Sequence, residues 1–193
     1  MEVFQILYAG IIYYPGTIYT GEGEGNRMVK AIAIDIDDTL SATNESFYKA
    51  LDKNIKQYGY EDYFMNHYRH SEVMQEAFVS AEPHEGAIDF INYLKGKKYQ
   101  VTILTARPLK YQEMTQTWID QQGIKCYKVA HDGDKIIYCK KNGIGCLIDD
   151  LPITCTNAVE NGIGAYMPMF DGKIKMPDSI VGFSKWEELK QYF

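Results

Sequence analysis

The sequence predicts an α/β fold: a doubly wound parallel sheet with a small helical cap inserted after its first strand. Three observations carry that expectation. Short apolar runs recur at 30–35, 100–105, 126–130 and 145–149, with a weaker one at 164–167. They are apolar almost throughout, as strands covered on both faces must be. Helical patterns fall between them, and one interval, 36–99, is far longer than a single crossover helix requires.

The elements follow in order. "KAIAID" (30–35) forms the first strand. The stretch "SFYKALDKNIKQYGY" then carries Phe47, Leu51, Ile55 and Tyr58 at helical spacing, and "EDYFMNHYRHSEVMQEAFVS" continues with Phe64, Tyr68, Met74 and Phe78. These two patterns make up the cap, at about 44–82. "GAIDFINYLKGK" places Ile88, Ile91 and Leu94 on one face and leads into the strand "QVTILT". "YQEMTQTWIDQQG" sets Met114 and Trp118 one turn apart and closes at Gly123, a natural helix stop. After "CYKVA", Lys135 opens another helix; "GCLID" and "GAYM" supply the last strands. "KWEELKQYF" ends the chain as a helix with Trp186, Leu189 and Phe193 on a stripe. The alternation is Rossmann-like.

Residues 1–27 look foreign to this pattern. They end in "GEGEGNR" directly before Met28, and "MVKAIAID" reads as a natural protein start. Gly and Glu codons are purine-rich, so GEGEG ahead of a methionine resembles a ribosome-binding site translated in frame. We read 1–27 as a non-core extension and 28–193 as the domain; the competing reading is an edge hairpin turning at Pro15–Gly16. The glycine repeat precedes a strand rather than following one, so it is not a dinucleotide loop.

Composition narrows the function. A net charge of -6 over 193 residues argues against a surface that tracks long nucleic acid, yet leaves room for a small phosphorylated ligand held by local cations. Cys126, Cys139, Cys146 and Cys155 show no zinc-type spacing and read as buried free thiols in a reducing compartment. The apolar run "VFQILYAGIIYY" is shorter than the roughly 20 residues a spanning helix needs. No secretory signal pattern opens the chain, so a cytoplasmic protein with no membrane partner is expected.

The chemistry gathers where strands end. In an open parallel sheet, ligands bind beyond the carboxyl ends of the strands. There the first run supplies Asp35, Asp37, Asp38 and Thr39, and the second Thr105, Ala106, Arg107 and Pro108. Lys135 follows the third, and Asp149 and Asp150 the fourth. Carboxylates that close repel one another and resist burial unless something positive holds them. Acids from two strand ends, with a hydroxyl and an ammonium, suit Mg²⁺, which takes oxygen ligands, waters and substrate phosphate.

The order "DIDDTL", Thr105 after "VTIL", Lys135 and "LIDD" resembles the four motifs of haloacid dehalogenase (HAD) superfamily phosphatases, over essentially all of 30–193. Response-regulator receivers use similar residues but carry their paired acids on the first strand and lysine on the last. "PHEGAIDFINYLKGKKYQVTILTARP" and "DKIIYCKKNGIGCLIDDLP" look like the 5′(3′)-deoxyribonucleotidase-like branch and its bacterial and phage relatives. The first motif departs from that branch's "DMDG" type of run.

The resemblance implies a Mg²⁺-dependent phosphomonoester hydrolase acting on a small phosphorylated substrate, a nucleoside 5′-monophosphate first of all. Asp35 would be the nucleophile and Asp37 the acid and base, its backbone carbonyl also on the metal. Thr105 and Lys135, with Ala106 and Arg107 beside them, would contact the phosphoryl group. Asp150 would ligate Mg²⁺ with Asp149 in support. Plainer readings exist for each. Thr105 and Asp38 can be helix caps, Arg107 a surface arginine at a helix start, and Lys140 and Lys141 a solvated face. The four histidines have no partner at metal-ligand spacing. Phe47, Tyr48, Tyr63, Phe64 and Tyr68 form either a wall for a nucleobase or the cap's own core. The alternatives in function are a phosphatase of sugar phosphates or other small molecules, and a phosphate- or nucleotide-binding protein without turnover.

Overall fold

The structure, a computed structural model, describes residues 17–18, 29–65, 67–170, 172 and 177–193, with the side chains of 17, 18, 29, 64 and 67–69 outside that description. Of the segment 1–27, only Thr17 and Ile18 (β1) are described, paired antiparallel with Lys30 and Val29. The Pro15–Gly16 turn lies outside the described residues.

Six parallel strands make the sheet. They are β2 (Val29–Ile34), β3 (Gln100–Thr105), β4 (Lys128–His131), β5 (Cys146–Ile148), β6 (Gly164–Pro168) and β7 (Val181–Phe183), in the order β4-β3-β2-β5-β6-β7. The chain moves outward from β2 through β3 to β4, then returns to β5 on the other side of β2. The reversal opens a crevice at the carboxyl ends of β2 and β5, the place where such sheets bind ligands.

Side-chain alternation sorts the core into two faces. Ile32 and Ile34 of β2 point to a layer with Phe90, Ile91 and Leu94 of α4 (Ala87–Gly96), Trp118 and Ile119 of α5 (Gln112–Gln121), and Trp186 and Leu189. Ala31 and Ala33 of the same strand face Cys139 of α6 (Lys135–Lys141) and Cys155 and Ala158 of α7 (Pro152–Glu160).

Between β2 and α4 stand three helices, α1 (Thr43–Tyr58), α2 (Tyr60–Met65) and α3 (His67–Ser80). They share a small core of Ala50, Tyr63 and Val73, with Phe47, Leu51 and Ile55 packed on it. The sequence expectation missed α7 and β7, both short. It also expected a C-terminal α-helix where a 3-10 helix runs from Trp186 to Tyr192. Trp186 and Leu189 are buried as the stripe required; their separation of three residues suits the tighter helix, whose side chains align every third residue.

Candidate active site

Local sequence fixes each acidic group. β2 runs straight into Asp35, whose amide donates to the Ile148 carbonyl of β5 at 3.0 Å, tying the two strand ends together. Asp149 follows β5 and is fully buried. Its Oδ1 accepts the Leu151 amide at 3.0 Å, and Cys155 Sγ donates to its carbonyl at 3.2 Å. Lys135 is placed by a cap: Asp134 Oδ1 accepts the Ile137 amide at 2.9 Å, so α6 begins with the lysine turned toward the crevice.

Lys135 Nζ lies between two carboxylates, 2.7 Å from Asp35 Oδ1 and 2.6 Å from Asp149 Oδ2. Burial works against the ammonium, but Asp35 and Asp149 outweigh it and raise the lysine pKa. Burial also pushes the Asp35 carboxyl well above the ordinary carboxylate range, against the pull of Lys135. Asp150 is pushed up to about 6 by burial, with Asp149 and Asp38 adding to it. Thr39, buried behind them, donates to Asp150 Oδ1 at 3.3 Å.

Asp35, Asp149 and Asp150 each offer an oxygen within 4.8 Å of the others. Asp35 and Asp149 share one ammonium and Asp150 stands beside them, so three acids meet a single cation, and the donor set is all hard oxygen. Those residues therefore fit a divalent cation such as Mg²⁺. The Asp37 carboxylate is not in that group.

Asp37 turns instead to Arg107. The guanidinium donates from Nε to Oδ1 and Oδ2 at 3.1 and 3.0 Å and from Nη2 to Oδ1 at 2.7 Å. This corrects the surface reading of Arg107: its side chain is 1% exposed. The physical reason is that a carboxylate faces it and the Phe78 ring of α3 lies 4.1 Å from its Cζ, so burial leaves its charge both paired and stacked. Thr43 Oγ1 donates to Asp37 Oδ1 at 2.7 Å. Thr105 is fully buried, and its Oγ1 accepts the Arg107 amide at 3.1 Å. Ala106, between them, is exposed. Lys140 and Lys141 are exposed on α6, away from the acids.

Asp38 has a left-handed backbone (φ 56) and accepts the Asn44 amide at 2.8 Å, capping α1 from outside. A cavity of about 340 Å³ opens beside Asp150, lined also by Asp38, Asn44, His84 and Phe170. Of the aromatic wall, Phe47 and Tyr63 belong to the small helical core, Tyr48 is exposed, and Phe64 and Tyr68 lie outside the described side chains. Tyr63 and His70 hydrogen-bond each other at 2.9 Å. Sequence reasoning missed Thr43 and the Arg107–Asp37 pair. It also missed the Asp134 cap, although an aspartate one residue before a helix-opening lysine is an N-cap signal.

Among the described residues no helix is long and apolar enough to cross a membrane. No protein-family model and no curated protein matches the chain. Solved structures do match. A haloacid dehalogenase-like hydrolase from Streptococcus pneumoniae shares 15% identity at a TM-score of 0.63, over 86% of this chain and 98% of its own. A HAD hydrolase from Bacillus subtilis, bound to magnesium, shares 13% at 0.63, over 84% and 97%. A Thermotoga maritima protein described as a beta-phosphoglucomutase shares 15% at 0.63, over 83% and 96%. The six parallel strands and this likeness define the class: the chain has the Rossmann-like fold of the HAD-type hydrolases.

Proposed function

We propose that the protein is a Mg²⁺-dependent phosphomonoester hydrolase working through an aspartyl-phosphate. The observation that carries this reading is the clustering of Asp35, Asp149 and Asp150 at the topological switch point, with Lys135 paired to the first two. Asp35 attacks phosphorus and the leaving oxygen departs, with Asp37 donating its proton; water then releases phosphate from Asp35, and Asp37 takes up the water's proton. Thr105 and Lys135 hold the phosphoryl oxygens. Mg²⁺, when bound, supplies positive charge against the charge that develops on those oxygens. Both oxygens of Asp149 already accept hydrogen bonds, from Lys135 and from Leu151. Asp150 is thereby the better direct ligand, beside Asp35 and the Asp37 carbonyl.

For the substrate we favour a nucleoside 5′-monophosphate, on the resemblance of 83–108 and 134–152 to the deoxyribonucleotidase-like branch. A small sugar phosphate is the second reading, favoured by the likeness to a protein described as a beta-phosphoglucomutase. Residues 43–80 serve as the cap over the site, and their helices reach it through Thr43 and Phe78.

Phosphate release from a panel of nucleotide and sugar monophosphates, with and without Mg²⁺, tests the proposal. Turnover that needs Mg²⁺ and vanishes in Asp35→Asn is the expected result. Sugar phosphates alone as substrates would sink the nucleotidase reading, and no turnover across the panel would leave a binding protein.

A further inference from the structure

We infer that Arg107 and Thr43 are positioning residues that fix Asp37 so that its Oδ2 is the atom that accepts the proton of the hydrolytic water. This deepens the proposed phosphatase reading and rests on it.

The case begins with a count of donors. Asp37 Oδ1 accepts three: Arg107 Nη2 at 2.7 Å, Arg107 Nε at 3.1 Å and Thr43 Oγ1 at 2.7 Å. Among the described residues Oδ2 accepts only the shared Nε–H, at 3.0 Å. A carboxylate oxygen carries about two lone-pair sites, so Oδ1 is saturated and Oδ2 keeps capacity to accept. The donors hold the carboxylate by one edge and leave the other oxygen for chemistry.

Arg107 is itself fixed along its length. Its amide donates to Thr105 Oγ1, its carbonyl accepts from His131 Nδ1 at 2.9 Å, and its guanidinium lies on Phe78. Its Nη1 is buried without a partner among the described residues. Burying a guanidinium this deeply, with one N–H unsatisfied, carries a desolvation cost that an apolar residue would avoid. A rigid fork that sets the plane of Asp37 accounts for that cost; a role in packing alone does not.

The step it serves is the second displacement. Water oxygen forms a bond to phosphorus, the bond from phosphorus to the Asp35 oxygen breaks, and its electron pair returns to the Asp35 carboxylate. The water's proton goes to Asp37 Oδ2, and inorganic phosphate leaves.

The test is pre-steady-state hydrolysis of p-nitrophenyl phosphate, whose good leaving group needs little help from an acid. Arg107→Met and Thr43→Val are compared with the wild type, each checked for wild-type-like circular dichroism. A misplaced base slows only the second displacement. Arg107→Met is therefore expected to give a burst of about one p-nitrophenolate per chain, followed by a steady state slowed about 10²-fold, the size of a general-base contribution. Acid quenching should trap phosphorylated protein. Thr43→Val, which keeps shape and loses one donor, is expected to show the same pattern at about tenfold, and it carries the test if Arg107→Met does not fold. Arg107→Lys cannot rebuild the fork and should recover little. Equal slowing of burst and steady state without phosphoenzyme, or unchanged kinetics in both variants, overturns this inference and leaves the phosphatase reading standing. A wild type that hydrolyses no phosphomonoester overturns both.

Discussion

Two acidic regions lie side by side at the carboxyl ends of the central strands, and they are built in different ways. Asp35, Asp149 and Lys135 come from strand ends and a helix start of the core and are almost wholly buried, and the amides of both aspartates bond to neighbouring strands. Asp37 is 29% exposed and takes its partners from the first residue of α1 and the loop after β3, with α3 behind them. The first region is a fixed electrostatic frame. The second depends on where the helices of 43–80 sit, because Thr43 and Phe78 belong to them. A frame of fixed charge beside an adjustable acid is a division of labour that substitutions can separate.

The largest effect should come from Asp35→Asn. Loss of a covalent nucleophile removes on the order of 10⁴-fold or more of turnover. Because burial raises the pKa of this carboxyl, its neutral amide should cost the fold little, and the melting temperature should hold or rise. A thermal melt beside the assay checks both halves. A large fall in stability with Asp35→Asn would mean that the Lys135 contact matters more than burial.

Next in size is the loss of the frame's cation. Lys135→Met leaves two buried carboxylates without their partner, and breaking a buried pair from one side costs about 3–5 kcal/mol. Urea denaturation should show it, and added Mg²⁺ should recover part. Arg107→Met should be milder, since its partner is a half-open carboxylate. A reversed order would break the contrast between frame and adjustable acid.

The frame also titrates. Asp150 is raised to about 6 from 3.8, so the folded protein holds that proton more tightly than the unfolded chain does. The associated stability is fully present below about pH 4 and is lost as pH rises through about 6. Mg²⁺ must displace the same proton. At a hundredfold excess over Kd, a ligand stabilises by about 2.7 kcal/mol. That gain should be present at pH 7.5 and fall to about half, roughly 1.4 kcal/mol, at pH 5, where only about a tenth of Asp150 is ionised. Melting curves with and without Mg²⁺ across this range check it, and a gain independent of pH would exclude Asp150 as the ligand.

How much was legible in the sequence follows the same division. The parallel strands could be read because buried strands are apolar on both faces, and Asp35, Lys135 and Asp149 could be placed because a strand end leaves few choices of position. The Arg107–Asp37 pair could not. It joins residues 70 apart through a rotamer choice, and an arginine after "TA" carries no signal that it turns inward. Thr43 reads as an ordinary residue near a helix start, and only the φ of +56 at Asp38, which bends the chain between Asp37 and α1, accompanies its return to Asp37. The 3-10 geometry at Trp186–Tyr192 was hidden for a related reason, since the same stripe serves either helix over so few residues.

The smallest expected effect separates the regions most finely. Phe78 is buried, stacks on Arg107 from α3 and meets the Tyr111 ring at 5.5 Å. Phe78→Leu keeps an apolar side chain and removes the π face, so the lost cation–π contact should cost about 1 kcal/mol. If α3 sets the adjustable acid through Arg107, this variant should slow turnover several-fold while the Mg²⁺-induced melting shift stays at its wild-type value, since no ligand of the frame has moved. Combining it with Arg107→Met should then add almost nothing, because neighbours acting through one contact are not additive. Full additivity in that cycle would mean that Phe78 acts through the helical core alone. The helices of 43–80 would then reach Asp37 only by way of Thr43.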